Sequence, residues 1–290
     1  MHTSIPSAEN TSGKVSFGST GQGPVILDAL SNGTDVSAPP SAPPLRGSRP
    51  GRIVRTQHLR SRSLGPAQRS ELVDRLYAIY NETLYGYARD QFEDLVLGAG
   101  EVRLALYYGA GGELAGFAYA SIERIEHAGR RHAALCAGMF FRPGYHGGVS
   151  GALFLLGQAL RAKLREPRTP LAYMTRCTTP AVYRRCAVTM PRIHPSRKYP
   201  TPAHVDALVR ALGTRRRYAP IGENPWVVEA GGVPHHPSRL RRLEHDPDVR
   251  FYTELNPRFA EGESLVVWVH ADLTDIASGF VRALRARSAQ

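Results

Sequence analysis

The chain has 290 residues, of which 42% are hydrophobic, and it carries a formal net charge of +12. This composition allows a real core in one large domain or two small ones. Three cysteines without CxxC spacing argue against a disulfide framework or a zinc knuckle and fit a reducing compartment. No apolar run is long enough to span a bilayer, and the start MHTSIPSAEN lacks the basic start and apolar core of a secretory signal. We therefore expect a cytoplasmic protein without a membrane span.

Residues 1–65 differ from the rest of the chain. They are rich in Pro, Gly, Ser and Arg and contain almost no aromatic residues. Such a segment cannot bury enough apolar surface to offset the entropy lost on ordering. We predict a disordered tail, with the folded part beginning at Pro66.

The folded part begins with a regular series of elements. Apolar residues at helical spacing predict two helices, and apolar runs separated by glycine-containing turns predict a three-stranded antiparallel meander. A central helix capped by Ser150 follows, with a leucine stripe that we expect to dock on the sheet: Leu153, Leu156, Leu160 and Leu164. A further strand after this helix should run parallel to the strand before it. The predicted ranges are helices 66–84 and 89–97, strands 103–108, 114–126 and 131–141, the central helix to 165, and strand 170–177.

The loop between the third strand and the central helix is dense in glycine. A strand that leads through such a loop into a helix collects free backbone N–H groups and the positive end of the helix dipole in one place. This arrangement suits a phosphate or pyrophosphate. A plain strand-to-helix connection without a ligand is the alternative.

This order of elements resembles the GNAT-fold acyltransferases, which use acyl-CoA. Their hallmark is an Arg/Gln-x-x-Gly-x-Gly/Ala turn whose amides bind the CoA pyrophosphate. In this chain His146 stands where the family has Arg or Gln, Val149 where it has Gly, and Gly151 falls in place. The resemblance covers residues 66–191 and implies an α/β fold with a GNAT-like mixed central sheet flanked by helices. It also implies acyl-CoA as co-substrate, no metal, and a cofactor site at Phe140, Phe141, Tyr145, His146, Gly147, Gly148, Val149, Ser150, Gly151 and Ala152.

The resemblance also implies two catalytic roles. A tyrosine early in the helix after the fifth family strand often protonates the departing CoA thiolate, and Tyr183 matches it here. Packing on the sheet edge is the alternative for this ring. Glu123 is our candidate general base, or else a solvated side chain near a turn. Backbone N–H groups near Met139, Phe140 and Phe141 are the expected donors to the oxyanion.

Residues 192–290 have no family counterpart and form an α+β extension, either continuing the sheet or making a lid. We predict a helix opened by Thr201 and Pro202, strands at 225–229, 249–255 and 264–273, and a closing helix at 274–287. The histidines at 235, 236 and 245 do not make a metal site, because adjacent histidines point apart and no cysteine or carboxylate set completes one.

The stretch from Arg184 to Arg217 is strongly basic, with nine Lys/Arg against the single acid Asp206. Such a patch fits an acidic acyl carrier protein as partner, and the missing stacking aromatics argue against nucleic acid.

From the resemblance we predict an enzyme, an N-acyltransferase that moves an acyl group from acyl-CoA or a carrier protein to a small-molecule amine or hydroxyl by direct attack. The alternatives are a non-catalytic acyl-CoA-binding or protein-interaction module of the same fold, and a basic nucleic-acid-binding protein.

Overall fold

A computed structural model describes residues 51–145, 148–229, 232–235 and 243–288, and the side chains of Gly148, Val149 and 283–288 are outside that description. Its helices are α1 (Pro66–Thr83), α2 (Arg89–Leu97), α3 (Gly148–Arg165), α4 (Pro180–Thr189), α5 (Ala203–Arg215), α6 (Pro247–Leu255) and α7 (Leu273–Ser288). Its longer strands are β1 (Ile53–Arg60), β3 (Arg103–Gly109), β4 (Leu114–His127), β5 (Arg130–Phe141), β6 (Leu171–Cys177), β9 (Asn224–Glu229) and β11 (Glu263–His270). The short strands are β2 (Leu84–Tyr85), β7 (Ile193–His194), β8 (Pro220–Ile221) and β10 (Val233–Pro234).

A nine-stranded mixed sheet runs through the molecule in the order β1-β3-β4-β5-β6-β11-β9-β8, with β7 paired to β11. The pairings are antiparallel except β5–β6, which is parallel because α3 connects these two strands. The predicted meander and the parallel strand after the central helix are confirmed. The fold class is therefore confirmed as α/β, with a mixed central sheet flanked by helices.

The two faces of the sheet are covered by different helices. On one face, α1 and α2 bury Leu76, Ile79 and Phe92 against β3 and β4. On the other face, α3 buries Phe154 and Ala159 against the alanine-rich centre of β4 and β5. Side chains alternate along a strand, so odd-numbered residues of β5 such as Leu135 face α3. Its even-numbered residues face the opposite side, where α5 packs.

The predicted disordered tail ends too late. Residues 53–60, inside the predicted tail, form the edge strand β1, which pairs antiparallel with β3. Only Ile53 and Leu59 of this strand are partly buried, and Arg55 lies over the Tyr108 ring at 3.8 Å. An edge strand with this little burial looks like a polar linker in composition, because its main stabilisation is the backbone ladder to β3. The first fifty residues lie outside the described part.

Two predictions about α3 are wrong. The helix begins at Gly148, so Ser150 lies inside the first turn and is not the N-cap. The leucine stripe does not face the sheet, since Leu153 and Leu164 are 59% and 84% exposed. The inner face instead includes Phe154, Ala159 and the buried Lys163, whose Nζ pairs with Asp272 at 3.0 Å. Lys163 thus faces the interior because Asp272, distant in sequence, pairs with it. Hydrophobic periodicity treats lysine as a surface residue and does not predict this orientation.

The C-terminal part continues the central sheet, because β11 lies between β6 and β9. The helices predicted after Pro202 and from Thr274 are present as α5 and α7. The predicted strand at 249–255 is wrong: this segment is the helix α6. Asp246 caps it by accepting hydrogen bonds from the Asp248 and Val249 N–H groups, and Pro247 occupies its first position. In the described residues, no helix is long and apolar enough to cross a bilayer.

Candidate functional site

The candidate site begins where β5 and β6 separate. Their parallel pairing joins Ala133–Cys136 to Leu171–Met174, yet β5 continues to Phe141 and β6 to Cys177. The next carbonyl, Ala137 O, accepts from Thr175 Oγ1 at 3.3 Å, a side-chain contact in place of a ladder bond. No described strand pairs with this edge of β5 beyond Cys136. The sheet therefore opens into a wedge at its centre.

The backbone N–H groups of Met139 and Phe141 face this wedge, as the directions of two other hydrogen bonds of this segment indicate. The Ala133 N–H donates toward β6, to Pro170 O, and the Arg142 N–H donates toward β4, to Ala115 O. Because N–H directions alternate along a strand, the N–H groups of Met139 and Phe141 point to the β6 side. Both lie within the predicted oxyanion-donor segment.

The N-terminus of α3 lies against the same edge. A Cβ on Gly151 would come within 2.5 Å of Met139 Sδ, so glycine lets the first turn of α3 approach β5 closely. Met139 itself is 41% exposed. The first turn of α3 contains no acidic residue. Among the described residues no strand pairs with the Met139 and Phe141 N–H groups, and the first turn of α3 lies beside Met139. Free amides and a helix N-terminus are groups that suit an anionic oxygen.

The other predicted cofactor residues are distributed around this opening. Phe140 packs into the α1–α2 core with Phe92 and Phe117, and Phe141 stacks on Tyr107 at 5.3 Å. Ala152 is exposed in the first turns of α3. His146 and Gly147 lie outside the described residues, as do the side chains of Gly148 and Val149.

Tyr145 turns away from the wedge, toward the β3–β4 turn. Its hydroxyl donates to Glu113, and this hydrogen bond raises the pKa of the tyrosine. Its ring packs so closely on Gly51 and Gly109 that a Cβ at either glycine would collide with it. These contacts anchor the loop after β5, whose Gly144 carbonyl accepts from the Gly51 N–H.

The structure places Tyr183 in the core between α4 and α6. Its side chain is 1% exposed, its ring contacts Phe251 and Tyr252, and its hydroxyl donates to Pro195 O at 2.9 Å. Burial raises the pKa of Tyr183 above its ordinary value. The hydroxyl is therefore engaged and is a weaker acid than an exposed phenol.

Glu123 lies on the face of β4 opposite α3 and pairs with Arg216 at 3.4 Å. Arg216, just after α5, also reaches Ser121 Oγ at 3.5 Å, and its own side chain is 11% exposed. Its Nε is buried without a hydrogen-bond partner among the described residues. Glu123 is thus the counter-ion of a buried arginine, not a solvated carboxylate.

A second arginine borders the wedge on this face, and the sequence reasoning missed it. Arg176 lies two positions after Met174, the last residue of β6 that pairs with β5, and its guanidinium lies 4.7 Å from the Tyr218 ring and 5.8 Å from the Tyr87 ring. We call Tyr87, Arg176, Arg216 and Tyr218 the arginine–tyrosine cluster. An arginine inside the otherwise apolar segment LAYMTRC was the available signal.

The basic stretch 184–217 is largely neutralised in the folded chain. Six of its arginines meet acids from several elements: Arg184–Asp246, Arg192–Asp275, Arg197–Asp248, Arg210–Asp206, Arg216–Glu123 and Arg217–Asp94. The excess of positive charge in this part of the sequence therefore does not form a continuous surface of unpaired arginines in the folded chain. As for metals, no group of three or more His, Cys, Asp or Glu comes together in the described ranges.

The chain is similar to solved structures at low sequence identity. No family model and no curated protein matches the chain. Among solved structures, a probable N-acyltransferase from Enterococcus faecalis V583 has 15% identity and a TM-score of 0.32, over 48% of this chain and 33% of that one. The glucosamine N-acetyltransferase region of a fungal β-N-acetylglucosaminidase has 14% identity and a TM-score of 0.29, over 60% of this chain and 18% of that one. A GCN5-related N-acetyltransferase from Kribbella flavida has 14% identity and a TM-score of 0.27, over 40% of this chain and 70% of that one.

This chain therefore spans a third of the first structure and less than a fifth of the second. All three are described as N-acyltransferases or N-acetyltransferases. At such TM-scores they carry no argument about substrate or mechanism. The fold assignment rests on the strand order and strand directions of this chain.

Proposed function

We propose that this protein transfers an acyl group from acyl-CoA to an amine or hydroxyl by direct attack on the thioester. The observation that carries the proposal is the wedge between β5 and β6, where the strand pairing stops at Cys136 and the first turn of α3 lies against Met139. In this arrangement the amides at the start of α3 hold the CoA pyrophosphate, and the Met139 and Phe141 N–H groups polarise the thioester carbonyl.

The acceptor approaches from the face opposite α3. There the arginine–tyrosine cluster supplies the partly buried guanidinium of Arg216, whose Nε has no partner among the described residues. A partly desolvated guanidinium prefers a carboxylate or phosphate partner. The preferred acceptor is therefore an amine or hydroxyl compound that also carries an anionic group.

Proton transfer in this scheme requires rearrangement at the predicted catalytic residues. Glu123 accepts the proton of the attacking group once substrate loosens its pairing with Arg216. Tyr183 serves as the acid for the CoA thiolate only if its hydroxyl leaves Pro195 O. Donation by an acyl carrier protein is the weaker form of the proposal, because six arginines of 184–217 already meet acids and an acidic surface would have to displace them.

A second candidate is a non-catalytic acyl-CoA-binding module of the same fold. The engaged hydroxyl of Tyr183 and the ion-paired Glu123 favour it, because both catalytic candidates already have partners. The two candidates differ in one observable, the release of free thiol from acyl-CoA in the presence of an acceptor.

The test is calorimetric titration of the full chain with acetyl-CoA and longer acyl-CoAs, followed by thiol-release assays with amines that carry or lack a carboxylate. Gly148→Trp places bulk at the first residue of α3, and Gly157→Trp is the matched control at an exposed site of the same helix with open space around it. The enzyme is supported if the parent binds acyl-CoA and releases thiol, and if Gly148→Trp loses this binding while Gly157→Trp keeps it. Binding without thiol release for any acceptor supports the module. No binding by the folded parent refutes both.

A further inference from the structure

A cavity of about 330 Å³ lies on the α3 face of the sheet, at the end of α3 away from the wedge. Its walls come from the loop before β3, the second half of β4, and the last turns of α3. Five arginines and two glutamates line it: Arg62, Arg103, Arg124, Arg161, Arg165, Glu101 and Glu123. Gln158 is the first residue of α3 in its lining, ten residues after Gly148 and thus about 15 Å along the helix at 1.5 Å per residue.

The acids of this cavity do not balance its arginines. Glu123 turns to the other face of the sheet to pair with Arg216, and Arg124 is paired with Glu166. Glu101 is then shared between Arg103, at 3.4 Å, and Arg62, at 4.0 Å.

The two arginines from α3 stand without a counter-ion among the residues that the structure describes. Arg161 and Arg165 form no ion pair with any residue in the described part of the chain. They lie one turn apart on the helix and both contribute to the cavity wall.

One arginine of the group, Arg103, is partly buried. The Arg103 side chain is 15% exposed, and its pKa is lowered by burial and by the positive charges of Arg161, Arg60 and Arg165. Arg161 and Arg165 are exposed, and they line one cavity together with arginines from β3, β4 and the turn after β1. Glu101 offsets part of the repulsion between these positive charges, and a bound anion would offset the rest.

We propose that this cavity, which we call the arginine pocket, binds a phosphorylated small molecule through Arg103, Arg161 and Arg165. Guanidinium groups recognise phosphate oxygens by paired charge-assisted hydrogen bonds, and several of them around one volume suit a doubly or more highly charged group. A volume of 330 Å³ is that of a small-ligand site. The pocket is separate from the wedge, so the proposal stands whether or not the protein transfers acyl groups.

Inorganic pyrophosphate is the probe, titrated calorimetrically into the full chain at low ionic strength. The pocket variant is Arg161→Gln/Arg165→Gln, and the matched control is Arg75→Gln/Arg250→Gln, which removes two exposed helix arginines without ion pairs in the described residues. Ser150→Glu is included because the start of α3 also attracts pyrophosphate, so that the two sites are counted separately. A thermal melt establishes that each variant is folded.

We expect a saturable pyrophosphate site that persists in Ser150→Glu and in the control and is weakened at least about tenfold in the pocket variant. A parent that binds no pyrophosphate overturns the proposal. So does binding that the pocket and control variants reduce equally. A short single-stranded oligonucleotide serves as a further arm, and binding of it without any binding of pyrophosphate would mean a nucleic-acid surface instead.

Discussion

Replacing Ser150 by glutamate separates cofactor binding from stability at the start of α3. The residue lies in the first turn, which contains no acidic side chain. A carboxylate there is favourable for the helix dipole by about 0.3–1 kcal/mol, so the folded chain should be as stable as the parent or slightly more so. The same carboxylate repels a pyrophosphate held by the neighbouring amides.

The size of the repulsion follows from Coulomb's law. Two unit charges about 6 Å apart in an effective dielectric constant of about 40 repel by about 1.4 kcal/mol. With partial screening, a pyrophosphate should lose about 1–2 kcal/mol, which corresponds to about a five- to thirtyfold rise in Kd. Ser150→Gln, which adds a similar volume without charge, should change Kd far less.

The assay is calorimetric titration of parent, Ser150→Glu and Ser150→Gln with one acyl-CoA, at low and at high salt, with a thermal melt of each. We expect an unchanged or higher Tm in Ser150→Glu, weaker binding, and a smaller difference at high salt. Equal affinity in all three proteins would place the pyrophosphate elsewhere. A weakened glutamine variant would point to lost space, not to charge.

Three further changes test the fold and the site. Tyr183→Phe leaves the buried Pro195 carbonyl without its donor, and we expect chemical denaturation to show a free energy of unfolding lower by about 1–3 kcal/mol. A fall in kcat of about a hundredfold or more at constant KM would instead assign Tyr183 the proton-donor role. Leu76→Ala removes a fully buried side chain of α1 and should lower the free energy of unfolding by about 2–5 kcal/mol, whereas a loss below about 1 kcal/mol would contradict the packing described here. Burial lowers the pKa of His194 to about 4, so the unfolded chain binds more protons between about pH 6.5 and pH 4, and stability should fall by up to about 3 kcal/mol as the pH drops through that window. Urea midpoints measured across it should flatten in His194→Phe, and an unchanged slope would exclude His194 as the cause.

Local patterns in the sequence determined the elements that position the site. Helical spacing in α1 and α2, and apolar runs between glycine turns in β3, β4 and β5, predicted these segments nearly to their ends. The strand after a helix predicted the parallel β5–β6 pair. These features depend on residues close in sequence, so the sequence alone was sufficient.

Tertiary contacts decided the remaining features. Lys163 faces inward because it pairs with Asp272, which lies 109 residues away in the sequence. This contact helps to set which face of α3 lies against the sheet. Strand β1 is ordered because β3 offers it a backbone ladder, although its own composition resembles a linker. The segment 249–255 is helical because Asp246 caps it and Tyr252 is buried among α4 and β6 side chains.

The roles of the charged residues were decided in the same way. Glu123 meets Arg216, and the arginine pocket gathers side chains from β3, β4 and α3, across distances of up to about a hundred residues in sequence. A sequence pattern counts charges but does not pair them, since pairing depends on which surfaces the folded sheet brings together. For this protein, periodicity determined the framework, and three-dimensional packing determined which charges remain for a ligand.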